Sequence, residues 1–576
     1  MRIHKYTPAL VAALVLSLLL CACGGQGDGT DTTPGSTTDV PLTTDTTTQD
    51  AKANVSFVQD GKMVFSVIRA DKADKVQQDI AIGMRTKLLG ATGLKECAIG
   101  TDWKRKDAEY DATTYEILVG DTDYPQTAEL KEQLAWNEYG VVMIDNKIVL
   151  AAHSLQGVRL AVSEFSAMVK KAVNTSAGDG NVVLDMSEPK IGKVPALSSS
   201  LPAYEGGNIF GGFDCGDGER EFIIENTTQA EFDAYIGKLA EAGYTKTSET
   251  KLAGNTYVYM KGPKGTMAYA YFSPRSGKAS VLCGTDTVTD IQIPSDGKVC
   301  EPLLTQGGAG NNSGAMGMSY LIRLEDSSFI VIDGGYNTNG ESEELYRKMT
   351  EQNVRKDGQI LIRAWVITHA HADHYNTMRA FISTYASRIT VEHVIFNPLA
   401  SVYQENSDTP SAWDVKNGSA SFAGSDCVKA HAGQVFSFPG CSMEVLYSAE
   451  DCFDNPYYVA KLNNASMVVR LVIADEVILF PGDMEKDGAA ILCVMYGEYL
   501  KCDILQIAHH GYYGGSEEFY GLASPTVAMW PVMKEQSNKW NTSIPVNKYW
   551  LSLPSLKQTV VAADGAWTVT LPYYPE

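Results

Sequence analysis

From residue 55 to 197, short apolar runs alternate with longer stretches whose apolar residues recur every three or four positions, a mixture that predicts strands and amphipathic helices. Val141-Val142-Met143-Ile144, the pair Asp145-Asn146 and Lys147-Ile148-Val149-Leu150 predict a β-hairpin closed by a two-residue turn. Val158, Ala161, Val162, Phe165 and Val169 then predict a helix with one buried face. Further on, Thr228-Gln229-Ala230-Glu231 is a capping box: hydroxyl and carboxylate each satisfy a backbone donor at a helix start. The stripe Phe232, Ile236, Leu239 follows, and Gly243 suits the stop. Strands are expected over 257–260, 267–272 and 279–283. Within them Tyr257 and Tyr259 share one sheet face, as do Tyr269 and Tyr271. Such rows either pack against a neighbouring domain or stay exposed to stack on sugar rings, and packing is the commoner use.

The last half of the chain repeats another pattern, an apolar strand followed at once by metal-ligand side chains. Two strands end in Asp333-Gly334-Gly335; Ala364 to Ile367 leads into His369-x-His371-x-Asp373-His374. "EVILF" precedes Gly482-Asp483, and "CDILQIA" precedes His509-His510-Gly511. Four ligand-type side chains within six residues cannot all face one way on a helix or strand, but they converge from a tight loop at a strand end. Imidazole with carboxylate suits zinc, manganese or iron. Five of the nine histidines fall in these two clusters, which makes chance placement an implausible account. Loop 398–425, long and polar, is expected to shape substrate binding, with Tyr403 and Trp413 as aromatic walls.

At 576 residues the chain predicts about three domains. The formal net charge of −22 argues against a broad basic face for nucleic acid. Residues 1–22 read as an export signal, with Arg2 and Lys5 before the apolar run Ala9 to Leu20. Leu20-Cys21-Ala22-Cys23-Gly24 resembles the bacterial lipoprotein box, which implies lipidation of Cys23 and a place on the extracytoplasmic face of the bacterial cell membrane. Residues 24–50 hold ten Thr, five Asp and no Lys or Arg, the composition of a spacer. The other nine cysteines include no C-x-x-C pair, so neither a zinc knuckle nor a dense disulfide framework is expected. The organisation predicted is signal 1–22, lipidated cysteine and linker 23–53, an α/β accessory domain 54–198, a small α+β domain 199–292 and a hydrolase domain 293–576.

Two resemblances extend this reading. The run "YEILVGDTDYPQTAELKEQL…NEYGVVMIDNKIVLAAHSLQGVRLAVSEF" is similar to the small α/β domain that precedes catalytic domains in some hexosaminidases and α-glucuronidases, which implies a cell-envelope or glycan setting. The histidine signature, the upstream Asp333-Gly-Gly, Gly482-Asp483 and His510-Gly511, in that order, resemble the metallo-β-lactamase superfamily. That resemblance implies an α/β multidomain protein ending in a four-layer αβ/βα sandwich with two divalent metal ions, Zn or Mn. It implies His369 and His371 on the first metal, Asp373, His374 and His510 on the second, Asp483 bridging them and Asp333 ordering the loops beneath.

The third histidine of the first site is missing. Its place reads Asn463-Asn464-Ala465-Ser466, so a neutral amide, water or His431 would complete the site. "NNASMVVRL…VILFPGDME…ILQIAHHGYYGGS" and the closing "VVAADGAWTV" are similar to the extracellular nuclease-like domain of competence DNA-uptake proteins, and the doubled histidine also to phosphorylcholine esterases. These imply phosphodiester hydrolysis, with Asp373 holding the attacking water and His509 beside the phosphate as proton donor or as a support for its neighbour. Cell-wall glycan or teichoic acid then suits as partner. The alternatives are an extracellular nuclease, or a glycan-binding lipoprotein with a vestigial metal domain.

Overall fold

The computed structural model describes residues 54–575 apart from 73–74, 105–108, 136–137, 154, 177, 179, 195–200, 217, 286, 310–317, 339, 398–424 and 455–461. Cys23, the 1–53 leader and spacer, Tyr403 and Trp413 lie outside the described residues. Among the described residues no helix is long and apolar enough to cross a membrane, and eight cysteines are free thiols.

A mixed six-stranded sheet comes first, ordered Ile99–Thr101, Ser66–Arg69, Glu116–Val119, Lys147–Ala152, Glu138–Ile144, Lys190–Lys193. The hairpin forms as its turn dictates, with Ile144 opposite Lys147 and Asp145 at positive φ. Helix Leu155–Thr175 buries Val158, Ala161, Val162, Phe165 and Val169, the stripe that its spacing demands.

An antiparallel six-stranded sheet over Asn208–Gly284 follows, with helix Gln229–Glu241 on one face. Thr228 and Glu231 make both bonds of the capping box. The opposite face carries the tyrosines, and it is covered. Tyr257, Tyr259 and Tyr269 are buried and Tyr271 partly so, packed with Leu446, Tyr447 and Tyr496 of the C-terminal half. Tyr257 and Tyr496 share a hydroxyl hydrogen bond of 2.7 Å, Tyr269 Oη donates to Ala432 O at 2.7 Å, and Tyr271 Oη to Asp451 Oδ1 at 3.0 Å. Of the two uses expected for these rows, the structure shows domain packing: the hydroxyls of Tyr257, Tyr269 and Tyr271 are spent across the interface. Tyr269→Phe removes one such buried bond, so urea denaturation should show a loss of about 1 kcal/mol.

The C-terminal half is built on two seven-stranded sheets. One runs Asp426–Lys429, Ile389–Phe396, Ile360–Val366, Phe329–Asp333, Ser319–Arg323, Leu303–Gln306, Trp567–Thr570. The other runs Val435–Phe438, Cys441–Tyr447, Val468–Ile473, Glu476–Phe480, Ile504–Gln506, Val527–Trp530, Gln558–Val561. Their central strands are apolar on both sides, and the alternation explains why. Ile330, Ile332, Ala364, Val366, Ile478, Phe480 and Ile504 form a core shared by the two sheets. Phe329, Val331 and Trp365 face helices Glu341–Gln352 and Ala372–Tyr385, while Leu479 and Leu505 face the helices Lys486–Tyr496 and Glu517–Ala523. The result is helix, sheet, sheet, helix: the four-layer sandwich. Phe329–Asp333 and Ile360–Val366 pair in parallel, as do Glu476–Phe480 and Ile504–Gln506, so each pair ends at one edge of its own sheet.

Candidate metal centre

Four of those strand ends supply the chemistry. Asp333 closes Phe329–Asp333, the 369–374 cluster follows Ile360–Val366, Asp483 follows Glu476–Phe480, and His509–His510 follow Ile504–Gln506. The structure gathers Asp373, His374, Asp483 and His510 into one group and His369, His371 and Asp483 into a second, with the ligand atoms of each group within 4.8 Å of one another. Asp483 belongs to both. Its Oδ2 lies 3.2 Å from His374 Nε2, 3.5 Å from His510 Nε2 and 3.9 Å from His369 Nε2. His369 Nε2 faces His371 Nδ1 at 2.8 Å, and His510 Nε2 faces Asp373 Oδ2 at 3.1 Å.

The remaining ring nitrogens are occupied, which orients the rings. His374 Nδ1 meets Asp333 Oδ2 at 2.8 Å, and His510 Nδ1 meets the Pro531 carbonyl at 2.8 Å. Each Nε2 is thereby left for the centre. Asp333, itself at positive φ, also accepts from Thr368 N and Thr368 Oγ1, both at 2.8 Å, so it ties the loop to the strand end below it. His369 Nδ1 rests 3.2 Å from both Thr368 Oγ1 and Ser466 Oγ. Gly482 has left-handed φ, and a Cβ there would come within 2.9 Å of Ser466, so the Gly-Asp pair reflects the tightness of this turn.

Buried polar atoms test whether cations fit. His374 Nε2 and Asp483 Oδ1 are buried without a hydrogen-bond partner, a costly arrangement that a cation would relieve. The 3.2 Å separation of His374 Nε2 and Asp483 Oδ2 is an ion-pair contact rather than an aligned hydrogen bond. Four imidazoles and one carboxylate around a shared carboxylate match the borderline donor set of Zn, Mn or Fe. The residues present fit divalent cations, with Asp483 common to both groups.

Electrostatics divide the two groups. Burial, reinforced by His374 and His371, lowers the His369 pKa well below the usual imidazole value, and burial also lowers that of His371. Against the opposing effect of burial, Asp483 and then Asp333 hold His374 well above it, and Asp483 with Asp373 raises His510 to about 10. Asp483 is held well below the carboxylate range by His374, His510 and His509, which outweigh burial; Asp373 is lowered in the same way, chiefly by His374.

His509 stands at the open side, its side chain 19% exposed, with Nε2 4.0 Å from Asp483 Oδ2. Asn463 Nδ2 donates to His509 Nε2 at 3.2 Å and to Glu485 Oε1 at 3.1 Å, and Glu485 Oε1 lies 3.8 Å from His509 Nδ1. Asn464 is no ligand: its Oδ1 accepts from the backbone of Glu485 and Gly488 at 3.0 and 3.2 Å. His431 does not complete the first site either. It pairs with Glu450 at 2.8 Å and stacks on Tyr269, committed to the interface with the middle sheet. Ser466 occupies the space beside His369 and also receives Asp483 N at 3.0 Å. Ser466 and Glu485 escaped the sequence reading. The signals were present, in a small residue just before strand Val468–Ile473 and an acid two places beyond Asp483.

The His509–Gly511 turn is left-handed throughout, with φ of 47°, 53° and 79°. Trp530 Nε1 donates to His510 O at 2.7 Å and Asn547 Nδ2 to Gly511 O at 2.8 Å, so side chains from two other elements fix the backbone that aims His510. Asn547→Leu should weaken metal binding by the Asp373–His374–His510 group about tenfold and leave the His369–His371 group little changed, read as metal content after dialysis against graded chelator.

Facing mixed sheets inside helical layers, with a His/Asp cluster at one edge, define an α/β-sandwich scaffold for divalent metal. Residues 313–435, within the C-terminal half, match the family model of the Metallo-beta-lactamase superfamily. Solved structures similar to the chain include the metallo-β-lactamase fold protein YhfI from Bacillus subtilis: 11% identity, 47% of this chain, 100% of that one, TM-score 0.32. A possible metal-dependent hydrolase from Veillonella parvula shows 13% identity over 47% of this chain and 100% of its own, TM-score 0.27. CmlA, a diiron β-hydroxylase from Streptomyces venezuelae, shows 13% identity over 47% of this chain and 54% of its own, TM-score 0.30. No curated protein matches the chain.

Proposed function

We propose that the chain is a metal-dependent hydrolase of phosphodiester bonds, held by acylated Cys23 on the outer face of the bacterial cell membrane and acting on a cell-envelope or extracellular substrate such as teichoic acid. The observation that carries the hydrolase reading is the pair of ligand groups sharing Asp483, with buried ligand atoms left unpartnered. His369, His371 and Asp483 would hold one cation, and Asp373, His374, His510 and Asp483 the other. Cations bound there would supply Lewis acidity, which lowers the pKa of a water from about 15.7 toward roughly 7 and offsets charge on phosphoryl oxygens.

The chain's own groups do the rest. Asp373, its side chain 24% exposed, faces both the centre and solvent and can take a hydrogen bond from the attacking water. The water oxygen bonds to phosphorus, one ester P–O bond breaks, and a proton reaches the departing alkoxide to give an alcohol and a phosphomonoester. His509 lies at the open side where that oxygen leaves. Gln506, buried and bonded to Gly482 N and O, keeps the two strand ends of the second sheet in step. The acidic charge and the lack of Lys or Arg from 503 to 533 favour this reading over a nuclease.

The test is hydrolysis of bis(p-nitrophenyl) phosphate by the protein supplied with manganese or zinc. Turnover should appear with metal and vanish with chelator; two bound ions per chain without turnover would redirect the reading to carboxylic esters or amides. Metabolic labelling with a palmitate analogue should mark the native chain and miss Cys23→Ala.

A further inference from the structure

The turn that presents His510 does not stop where metal ligation needs it. It continues through Tyr512, Tyr513 and Gly514 to Gly515, with Tyr513 at φ 58° and Gly515 at 67°. An aromatic residue in left-handed backbone is a sparse conformation that persists only where its surroundings enforce it. They do so here. Gly515 N donates to Met484 O at 2.9 Å, Gly514 bridges to Glu485, and a Cβ on Gly514 would lie 2.2 Å from the Ala508 carbonyl oxygen. Metal binding explains His510, and the open side explains His509, but neither explains Tyr513.

Beside Tyr512, whose φ is an ordinary −90°, the left-handed Tyr513 completes a pair of large rings in solvent: Tyr512 is 47% and Tyr513 56% exposed. Their centroids lie 5.1 Å apart at 77°. Tyr512 is backed by Trp540 at 5.1 Å and stands edge-on to His509 at 5.7 Å. An aromatic ridge thus runs outward from His509, the partly exposed histidine of the centre. Rings so oriented form a corner, not the parallel slot that sandwiches a nucleobase. Charge points the same way: Gly514 of the turn bridges to Glu485, Glu517 and Glu518 open the helix that follows it, and no Lys or Arg lies between 503 and 533. A corner of phenols beside carboxylates suits a neutral polyhydroxylated ring, whose C–H face lies on one ring while its hydroxyls bond to phenol and carboxylate.

We propose that Tyr512 and Tyr513 form a subsite for a sugar ring esterified to the substrate phosphate, so that the preferred substrates are sugar phosphodiesters. This rests on the phosphodiesterase reading above. The test compares three p-nitrophenyl phosphodiesters on the full chain, whose second alcohol is methanol, glucose through its 6-hydroxyl, or thymidine through its 5′-hydroxyl. The glucose ester should exceed the methyl ester in kcat/KM by about tenfold, the equivalent of roughly 1.4 kcal/mol. Tyr512→Ala and Tyr513→Ala should each cut that ratio to below about threefold, while Tyr513→Phe keeps most of it. A wild-type ratio near one, a preference for thymidine, or alanine variants that slow both esters alike would overturn the subsite.

Calorimetric titration with glucose 6-phosphate and glycerol 3-phosphate separates the two failures. If no ester is hydrolysed, the phosphodiesterase reading falls; tighter glucose 6-phosphate binding that both alanine variants lose would still uphold the ring subsite, and equal affinities would sink it.

Discussion

Asp483→Asn should lower turnover of bis(p-nitrophenyl) phosphate by about a thousandfold, roughly 4 kcal/mol of barrier. No other side chain stands in both ligand groups, and its Oδ2 is within 4.0 Å of His369, His374, His509 and His510. Substitution by the isosteric amide keeps the shape of the pocket while removing the negative charge that gathers four imidazoles. Metal content measured by mass spectrometry after gel filtration should fall from two ions to one or fewer. Full activity with two ions retained would show that the carboxylate is no bridge. The metal-free fold should lose stability as well, because the amide no longer balances the charge of buried His374 and His510, so folding is checked by circular dichroism alongside turnover.

Loading the centre should release protons, and the two groups should differ. His374 and His510 are held protonated at neutral pH by Asp483 and their other acidic neighbours, His510 up to about 10. Their Nδ1 atoms are engaged with Asp333 and Pro531, so the proton that blocks a cation sits on Nε2. A metal must displace it from each. His369 and His371 are shifted downward and stay neutral, so a tautomer change frees the nitrogen that donates between them without a proton leaving. Calorimetry at pH 7 in buffers of different ionisation enthalpy should therefore show about two protons released for two ions bound, with the His369–His371 site filling first as pH falls toward 6. Heats that do not vary with buffer would refute this. The sign for stability follows as well. A histidine whose folded pKa is raised stabilises the metal-free fold fully below its unfolded value, and that contribution is lost as pH climbs through the folded one. The margin from His510 should hold through neutrality and disappear near pH 10.

Local chemistry was legible from the sequence wherever it was written in adjacent residues. The Asp145-Asn146 turn, the Thr228–Glu231 box and the stripe on helix Leu155–Thr175 each depend on spacings of two to four residues, and each forms. The ligand-bearing strand ends were legible because an apolar run followed by His and Asp has few other physical uses. Ser466 was hidden because a missing histidine does not announce what replaces it. Glu485 was hidden because a lone acid on a polar turn is ordinary. The cover over the tyrosine rows was undecided because strand periodicity fixes which residues share a face and says nothing of what lies against it. Nor do side-chain preferences place Tyr513 in left-handed backbone; the bonds that hold it there reach Met484 and Glu485 from another strand end.

The tyrosine face of the middle sheet also bears on how the chain can be divided. Asn255 Nδ2 donates to Met495 O at 3.1 Å, Tyr257 meets Tyr496, and Leu252, Met267 and Leu282 share one apolar cluster with Leu446, Leu492 and Leu500. A cut at residue 293 would strip this cover and leave a broad apolar surface facing water on each fragment. The catalytic half released alone is then a candidate for self-association and precipitation. The shortest soluble enzyme should begin before the middle sheet, near residue 201, with its partner layer carried along.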